Sequence, residues 1–414
     1  MPGTAFDLTS RIGEATTRHH LAATPDTCFW GYFDRDILPV LEVEPGDIIE
    51  VEVVTYHAGD APDLLMDEGI RAIWAGIPES ARGPGVHVMT GPIAVRGAQP
   101  GDTLMVRILD MRPRLAYGSN CAANWGLLYD EFGKERITIY QLSEPGAAGD
   151  AFGTLAEPAL AYDFTTRPMY DIPGVMTPTD PSARQPFSRR VSVPVRPHFG
   201  VMGVAPDTPG RHSSIPPGVF GGNVDNWRIG PGATACYPVF ADGAMLYVGD
   251  PHFAQGDGEI CGTAIEASLT ARIQVWIEPS LGVTSPLLET ATSWFTHGFG
   301  DGLDAANANG GNTDAPAHAD ALAVERRRRL LAGLGSDGPR CDTGRRCNAR
   351  LPRRDQPGDL RDLRTSTPEG SWVSLPRHDS ETHDNDRLGT GDNLRRRLSA
   401  DRRVDPPHRV DPLA

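Results

Sequence analysis

Val40-Leu41-Glu42-Val43-Glu44-Pro45-Gly46-Asp47-Ile48-Ile49-Glu50-Val51-Glu52-Val53 reads as strand, tight turn, strand. Ile49, Val51 and Val53 alternate with glutamates, the period of a strand with one buried face. Pro45 presets the first central dihedral of the turn, and Gly46 tolerates the positive φ of the second. The unit returns some 55 residues later as Gly97-Ala98-Gln99-Pro100-Gly101-Asp102 ahead of Thr103–Leu109. A weaker echo, Gly230-Pro231-Gly232-Ala233, precedes Thr234–Phe240. Turn-and-strand units repeated at irregular spacing predict a mainly β protein with some α, a sandwich or barrel built from repeated hairpins with a small α+β part.

Outward from these units, Asp67 to Ile77 reads as a short helix, with Asp63 or Asp67 placed to cap it. Residues 141–190 are rich in Pro, Gly and Ala with little periodicity, which predicts a long connection or lid with short strands. The chain therefore divides into a β-rich part over 1–140, this connection or lid over 141–190, a second β-rich part over 191–305, and an atypical tail over 306–414.

The 414 residues are 39% hydrophobic and 22% charged, with a formal net charge of −15. The tail beyond residue 300 holds 20 arginines and 19 acids, so the acidic excess lies in the body. An acidic body argues against nucleic acid as a partner. No apolar run is long enough to cross a bilayer, and the first residues lack a secretory pattern, so a cytoplasmic setting is expected. The 6 cysteines include no CxxC pair, which suits a reducing compartment. Strand edges make a homo-oligomer an open expectation.

Chemistry concentrates between Pro217 and Glu266. Gly221-Gly222-Asn223-Val224-Asp225 is followed by Gly249-Asp250-Pro251-His252-Phe253-Ala254-Gln255-Gly256-Asp257-Gly258-Glu259, then Gly262-Thr263-Ala264-Ile265-Glu266. Glycines let backbone approach a ligand closely, and the polar groups between them can converge on one point. Gly and Asp are also ordinary turn residues, so a solvated turn is the competing reading. Tyr56-His57-Ala58-Gly59-Asp60 and Gly85-Val86-His87-Val88-Met89-Thr90-Gly91-Pro92-Ile93 supply further histidines, and His198 a less favoured one. There is no GxSxG elbow, and Lys134 is the single lysine, so Ser/Lys nucleophilic chemistry is not expected. Carboxylate, imidazole and amide groups suit water activation instead.

These segments resemble the acetamidase/formamidase family, whose members carry GGN-x-D, GD-x-H-x-x-QGDGE, H-x-x-TGPI and PH-x-G-x-x-GVAP segments. All four stand here, the last at Pro197–Pro206, and the resemblance covers roughly residues 15–305. It implies hydrolysis of small linear amides, formamide- or acetamide-like, to carboxylate and ammonia. On that reading Asp225, Asp250 and His252 form a metal- or water-positioning set, and Asp250 and His252 are themselves catalytic. Glu259 or Asp257 serves as acid/base, Asn223 and Gln255 hold the amide, and His87 and His57 are further substrate-binding candidates. One divalent metal, zinc or calcium, fits such a loop. The alternatives are a β-barrel module that binds calcium or a small ligand without catalysis, and an amidase impaired by an altered C-terminus.

The tail departs from the family. Codons can be chosen for Val324–Leu334 that, read one nucleotide later, give the family-like string SSDDDAYSLAS. We therefore expect a +1 change of reading frame between about Asp304 and Val324, and an irregular, disordered tail without a stable packed fold over 308–414.

Overall fold

The structure, a computed structural model, describes residues 17–143, 154–164, 181–187, 191–279 and 281–312, with the backbone of strands Arg340–Asp342 and Arg346–Pro352. These belong to one compact unit, Met1–Asp355; residues 356–414 divide from it and lie outside the described residues. Strands dominate and helices are short, as the sequence implies.

Two large sheets share one core. In the first, the order is Arg18–Leu21, Ile48–Val53, Leu269–Glu278, Thr103–Pro113, Thr234–Pro238, Leu287–Glu289, Ser293–Phe299, Arg346–Pro352 and Arg340–Asp342. The second is built around Leu246–Ala254, which pairs with Val88–Val95, His198–Gly203 and Ile265–Glu266. It continues through Tyr117–Ala122, Arg136–Leu142 and Leu155–Asp163. Ile49, Val51, Val106 and Ile273 of the first sheet and Ile93, Phe199, Leu246 and Val248 of the second form one buried cluster. Burial of their apolar faces against each other is what makes the two sheets a sandwich.

The repeated Pro-Gly units form the expected turns but not hairpins. Gly46, Gly101 and Gly232 have φ of 100°, 98° and 90°. Asp47 N donates to Glu44 O at 3.1 Å and Asp102 N to Gln99 O at 3.0 Å, while each Asp carboxylate accepts from the backbone N–H three residues earlier at 2.9 Å. Yet Leu41–Val43 lies in the second sheet, parallel to Val88–Val95, and Ile48–Val53 lies in the first, beside Leu269–Glu278. The second turn likewise joins Val88–Val95 of the second sheet to Thr103–Pro113 of the first, and the third joins Gly221–Asn223 to Thr234–Pro238. All three are corners between layers. Both flanking strands bury alternate apolar residues in the same core, a pattern that a hairpin and a corner share.

Helix Glu68–Gly76 begins at Asp67, whose Oδ1 accepts from Ile70 N at 2.9 Å. Ile70 and Ile73 pack with Trp30, Tyr56, Cys121 and Ile137, which seats the 3₁₀ turn Tyr56–Asp60 against the second sheet. Within the connection 141–190, Leu155–Asp163 is a strand of the second sheet, antiparallel to Arg136–Leu142. The rest of the lid reading lies largely outside the described residues. So does most of the tail and its frame change, apart from the helix Leu303–Asn312 and the two paired strands named above.

Candidate active site

Strand His198–Gly203 runs between Leu246–Ala254 and Gly221–Asn223. This order carries the two motif loops to the same place, one on each side of a shared neighbour. Gly200 of that middle strand leaves a hollow into which side chains from both sides lean. A Cβ placed on Gly200 would lie 2.5 Å from Asp250 Oδ2, 2.5 Å from His252 Cε1 and 2.8 Å from Asp225 Oδ1. Asp225, Asp250 and His252 each offer a ligand atom within 4.8 Å of the others, and so do His252, Glu259 and Glu266.

His252 is the hub. Its Nε2 lies 3.2 Å from Asp250 Oδ2 and 3.2 Å from Glu266 Oε2, and His87 Nε2 lies 3.8 Å from the same Asp250 oxygen. Behind it, Gln255 Nε2 donates to the Asp225 carbonyl at 2.5 Å, which turns Gln255 Oε1 toward His252 Nδ1 at 3.2 Å. His198 Nδ1 donates to the Arg196 carbonyl at 2.7 Å. Burial, helped by neighbouring His252, depresses the His198 pKa to about 3, so the ring is neutral with its proton on Nδ1. Its Nε2 then accepts from His252 Nδ1 at 3.1 Å. This chain of bonds fixes the proton of His252 on Nδ1 and aims Nε2 at the carboxylates. A bare lone pair facing two carboxylate oxygens is repelled, so a positive charge belongs between them, either a proton on Nε2 or a bound cation.

Asp225, Asp250, His252 and Glu266 are almost fully buried. The His252 pKa rises well above normal: burial opposes this, but Glu266 and Asp250 outweigh it. Asp250 is held well below the usual carboxylate range, because His252 and His87 overcome its burial. Glu266 is pushed up to about 7 by burial and by the charge of Asp250. Glu259 is raised well above normal by burial and by Asp225. His87 is lowered by burial despite Asp250 and Asp225, and its Nδ1 contacts Ser214 Oγ at 2.9 Å. The backbone is strained at the same points: Asp225, Asp250 and Glu259 have φ of 47°, 50° and 40°. Non-glycine residues adopt this region at a cost, and such outliers gather at functional sites.

The structure thus brings together Asp225, Asp250, His252 and Glu259, with His87 alongside. Gln255 stands behind His252 with both ends of its amide engaged, so it positions the ring and is not open to substrate. Asn223 gives its Nδ2 to the Ile215 carbonyl at 3.0 Å and keeps a buried Oδ1 without a hydrogen bond, an acceptor two residues from Asp225. His57 stands beside Asp60 at 3.0 Å. Asp257 lies apart from the cluster. Its Oδ1 accepts from Trp227 Nε1 at 2.7 Å and pairs with Arg228 at 3.1 Å, so it ties two loops together. Placement past the end of strand Leu246–Ala254, after Gly256, turns it outward.

Sequence reasoning gave no role to Glu266 or Tyr56. Glu266 sits between Ile265 and Ala267, and an acid flanked by apolar residues was the available signal. Tyr56 stacks on His57 and His87 at 4.2 and 5.1 Å, and its hydroxyl pKa is raised by burial and by Glu266 and Asp250.

The profile of the Acetamidase/Formamidase family matches residues 19–213 and 210–296, which include every group of the cluster. This chain belongs to the acetamidase/formamidase family. An acetamidase of Mycolicibacterium smegmatis is 33% identical over 223 residues, covering 44% of this chain and 50% of that protein. A formamidase of Methylophilus methylotrophus is 26% identical over 260 residues, covering 56% and 59%. The chain therefore spans about half to three-fifths of the length of these curated relatives. The fold matches the crystal structure of an acetamidase from Yersinia enterocolitica, with a TM-score of 0.58 at 24% identity over 82% of this chain and 93% of that one. An acetamidase from Bacillus halodurans gives 0.56 at 23% identity over 80% and 97%.

Proposed function

We propose that this protein hydrolyses the carbon–nitrogen bond of small linear amides, releasing ammonia, by attack of an activated water. The family and its acetamidase and formamidase relatives support the substrate class. The observation that carries the chemistry is His252 Nε2, oriented by a fixed tautomer into a buried nest of acids.

That nest also supports one divalent cation. Asp250 Oδ1, His252 Nε2 and Glu266 Oε2 are buried without a hydrogen bond, and several carboxylates surround few positive groups. Uncompensated buried charge is costly, and a metal-binding histidine commonly has its other nitrogen hydrogen-bonded, as Nδ1 is here. Asp225, Asp250 and His252 would hold the ion, zinc or calcium by donor type. Such an ion polarises a carbonyl or acidifies a bound water. Glu266, poised near neutrality, takes the proton of the attacking water, and Glu259, kept protonated, donates toward the developing oxyanion. Asn223 Oδ1 accepts an N–H of the substrate amide.

A reducing, cytoplasmic setting is part of this reading; Cys28, Cys121, Cys236 and Cys261 are free thiols. Among the described residues no helix is long and apolar enough to cross a membrane. The test is ammonia release from formamide, acetamide and propionamide by purified protein, before and after chelation and with zinc or calcium restored. Binding of these amides without ammonia release under every condition would favour a binding module instead.

A further inference from the structure

We infer that His57 protonates the departing nitrogen of the substrate and that Asp60 holds it for that task. The inference rests on the amide-hydrolysis reading above.

His57, Asp60 and Ser119 are buried at 0, 1 and 0% exposure, away from water that could satisfy them. His57 Nδ1 lies 3.0 Å from Asp60 Oδ2, and the same oxygen accepts from Ser119 Oγ at 2.5 Å. Tyr162 donates its hydroxyl to the Asp60 carbonyl at 2.7 Å, and His57 N donates to Thr55 Oγ1 at 3.1 Å. The ring is therefore fixed on its Nδ1 side. Its Nε2, equally buried, has no hydrogen bond. A histidine kept only for packing would have both nitrogens satisfied, because an unmade buried hydrogen bond costs about 1–3 kcal/mol.

Position gives the idle nitrogen a use. Ser119 is the register partner of Glu266, so the two side chains share one face of the sheet. Tyr56 stacks between His57 and His87, and His87 reaches Asp250. The dyad is thus joined through Ser119 to the face that carries Glu266, and the charges of Glu266 and Asp250 act on His57. Burial resists a charge on His57, but Asp60 more than compensates, which keeps its pKa above normal.

Water adds its oxygen to the carbonyl carbon and gives one proton to the carboxylate base of the proposed site. The C–N bond breaks as His57 Nε2–H passes its proton to nitrogen. Ammonia and the carboxylic acid leave, and the proton held by the carboxylate returns to His57.

An amide nitrogen leaves only when protonated, whereas p-nitrophenolate leaves unaided. His57→Gln is therefore expected to lower kcat for acetamide about 100-fold, with KM little changed, while p-nitrophenyl acetate hydrolysis stays within about threefold. Asp60→Asn, close to isosteric, is expected to shift the two substrates apart in the same direction, and serves if His57→Gln does not fold. Equal loss on amide and ester, or no loss on either, overturns the inference and leaves the hydrolase reading standing. Wild-type protein that hydrolyses neither substrate overturns both.

Discussion

Replacing Gly200 with alanine tests the convergence on which the active site depends. The middle strand is extended at this residue, so alanine fits the backbone and the change acts through volume. Ordinary contact begins near 3.4 Å, so Asp250 Oδ2 and His252 Cε1 would each have to retreat by about 0.9 Å and Asp225 Oδ1 by about 0.6 Å. Asp225 and Asp250 already sit at positive φ, and His252 is held from behind by His198 and Gln255, so none can give way freely. Overpacking of this kind costs about 1–3 kcal/mol of stability, and displacement of reacting groups by about 1 Å costs on the order of 100-fold in rate. We expect a folded Gly200→Ala protein with kcat/KM for acetamide reduced about 100-fold and weaker divalent-metal binding. The assays are ammonia release, metal titration and thermal unfolding. Gly256→Ala, where a methyl meets nothing within 4 Å, is the matched control and should stay close to wild type. A Gly200→Ala protein with wild-type turnover and metal affinity would show that these side chains do not share one functional space.

Three further outcomes are expected. Glu266→Gln should abolish most turnover and remove the limb of the pH profile on which activity falls as pH drops through about 7. Because the folded pKa of Glu266 lies above its unfolded value, its charge destabilises the metal-free fold at higher pH; Glu266→Gln should raise Tm at pH 8 and leave it unchanged at pH 4. Arg114 binds Asp67 at 2.7 and 3.1 Å and Glu52 at 2.9 Å, holding the Asp67 carboxyl below its normal range. A depressed carboxyl stabilises the fold above its unfolded pKa and loses that contribution as pH falls through the folded one. Arg114→Ala should therefore cost on the order of 1 kcal/mol at pH 7 and progressively less in acid, as read from denaturant midpoints across pH. Finally, burial lifts the Cys28 and Cys236 thiols to about 11 and about 12 and Cys121 well above normal, whereas Cys261 is partly exposed. Brief iodoacetamide treatment of native protein should modify Cys261 first among these four by peptide mass, and comparable labelling of Cys236 would contradict the packing.

Local rules were legible in the sequence and long-range ones were not. Pro45-Gly46-Asp47 fixes its own turn because proline and glycine set two dihedrals and the aspartate closes the loop, and the structure follows it closely. Which strand receives Ile48–Val53 depends on Leu269–Glu278, more than 200 residues away, and no turn residue encodes that. The site shows the same limit. Asp250 and His252 are two apart on one strand, so alternation puts both on one face, and their shared placement was readable. Asp257 has the same composition around it but lies past the strand, where alternation no longer governs direction. Glu266 reaches the cluster only because its two-residue strand pairs with both Leu246–Ala254 and Tyr117–Ala122.

The same pairing explains why the acids tolerate one another. Left alone, Asp225, Asp250, Glu259 and Glu266 would repel and protonate. His252 holds Asp250 ionised, and burial together with the charge of Asp250 pushes Glu266 toward the neutral form. A group set in this way exchanges protons near neutral pH at small cost. A bound cation would relax the opposition and draw Glu266 downward. Metal binding should therefore release protons, and calorimetric titration with zinc in buffers of different ionisation enthalpy measures how many. A binding heat independent of buffer would mean that the acids are already fully ionised, and that the electrostatic conflict drawn here from their burial is absent.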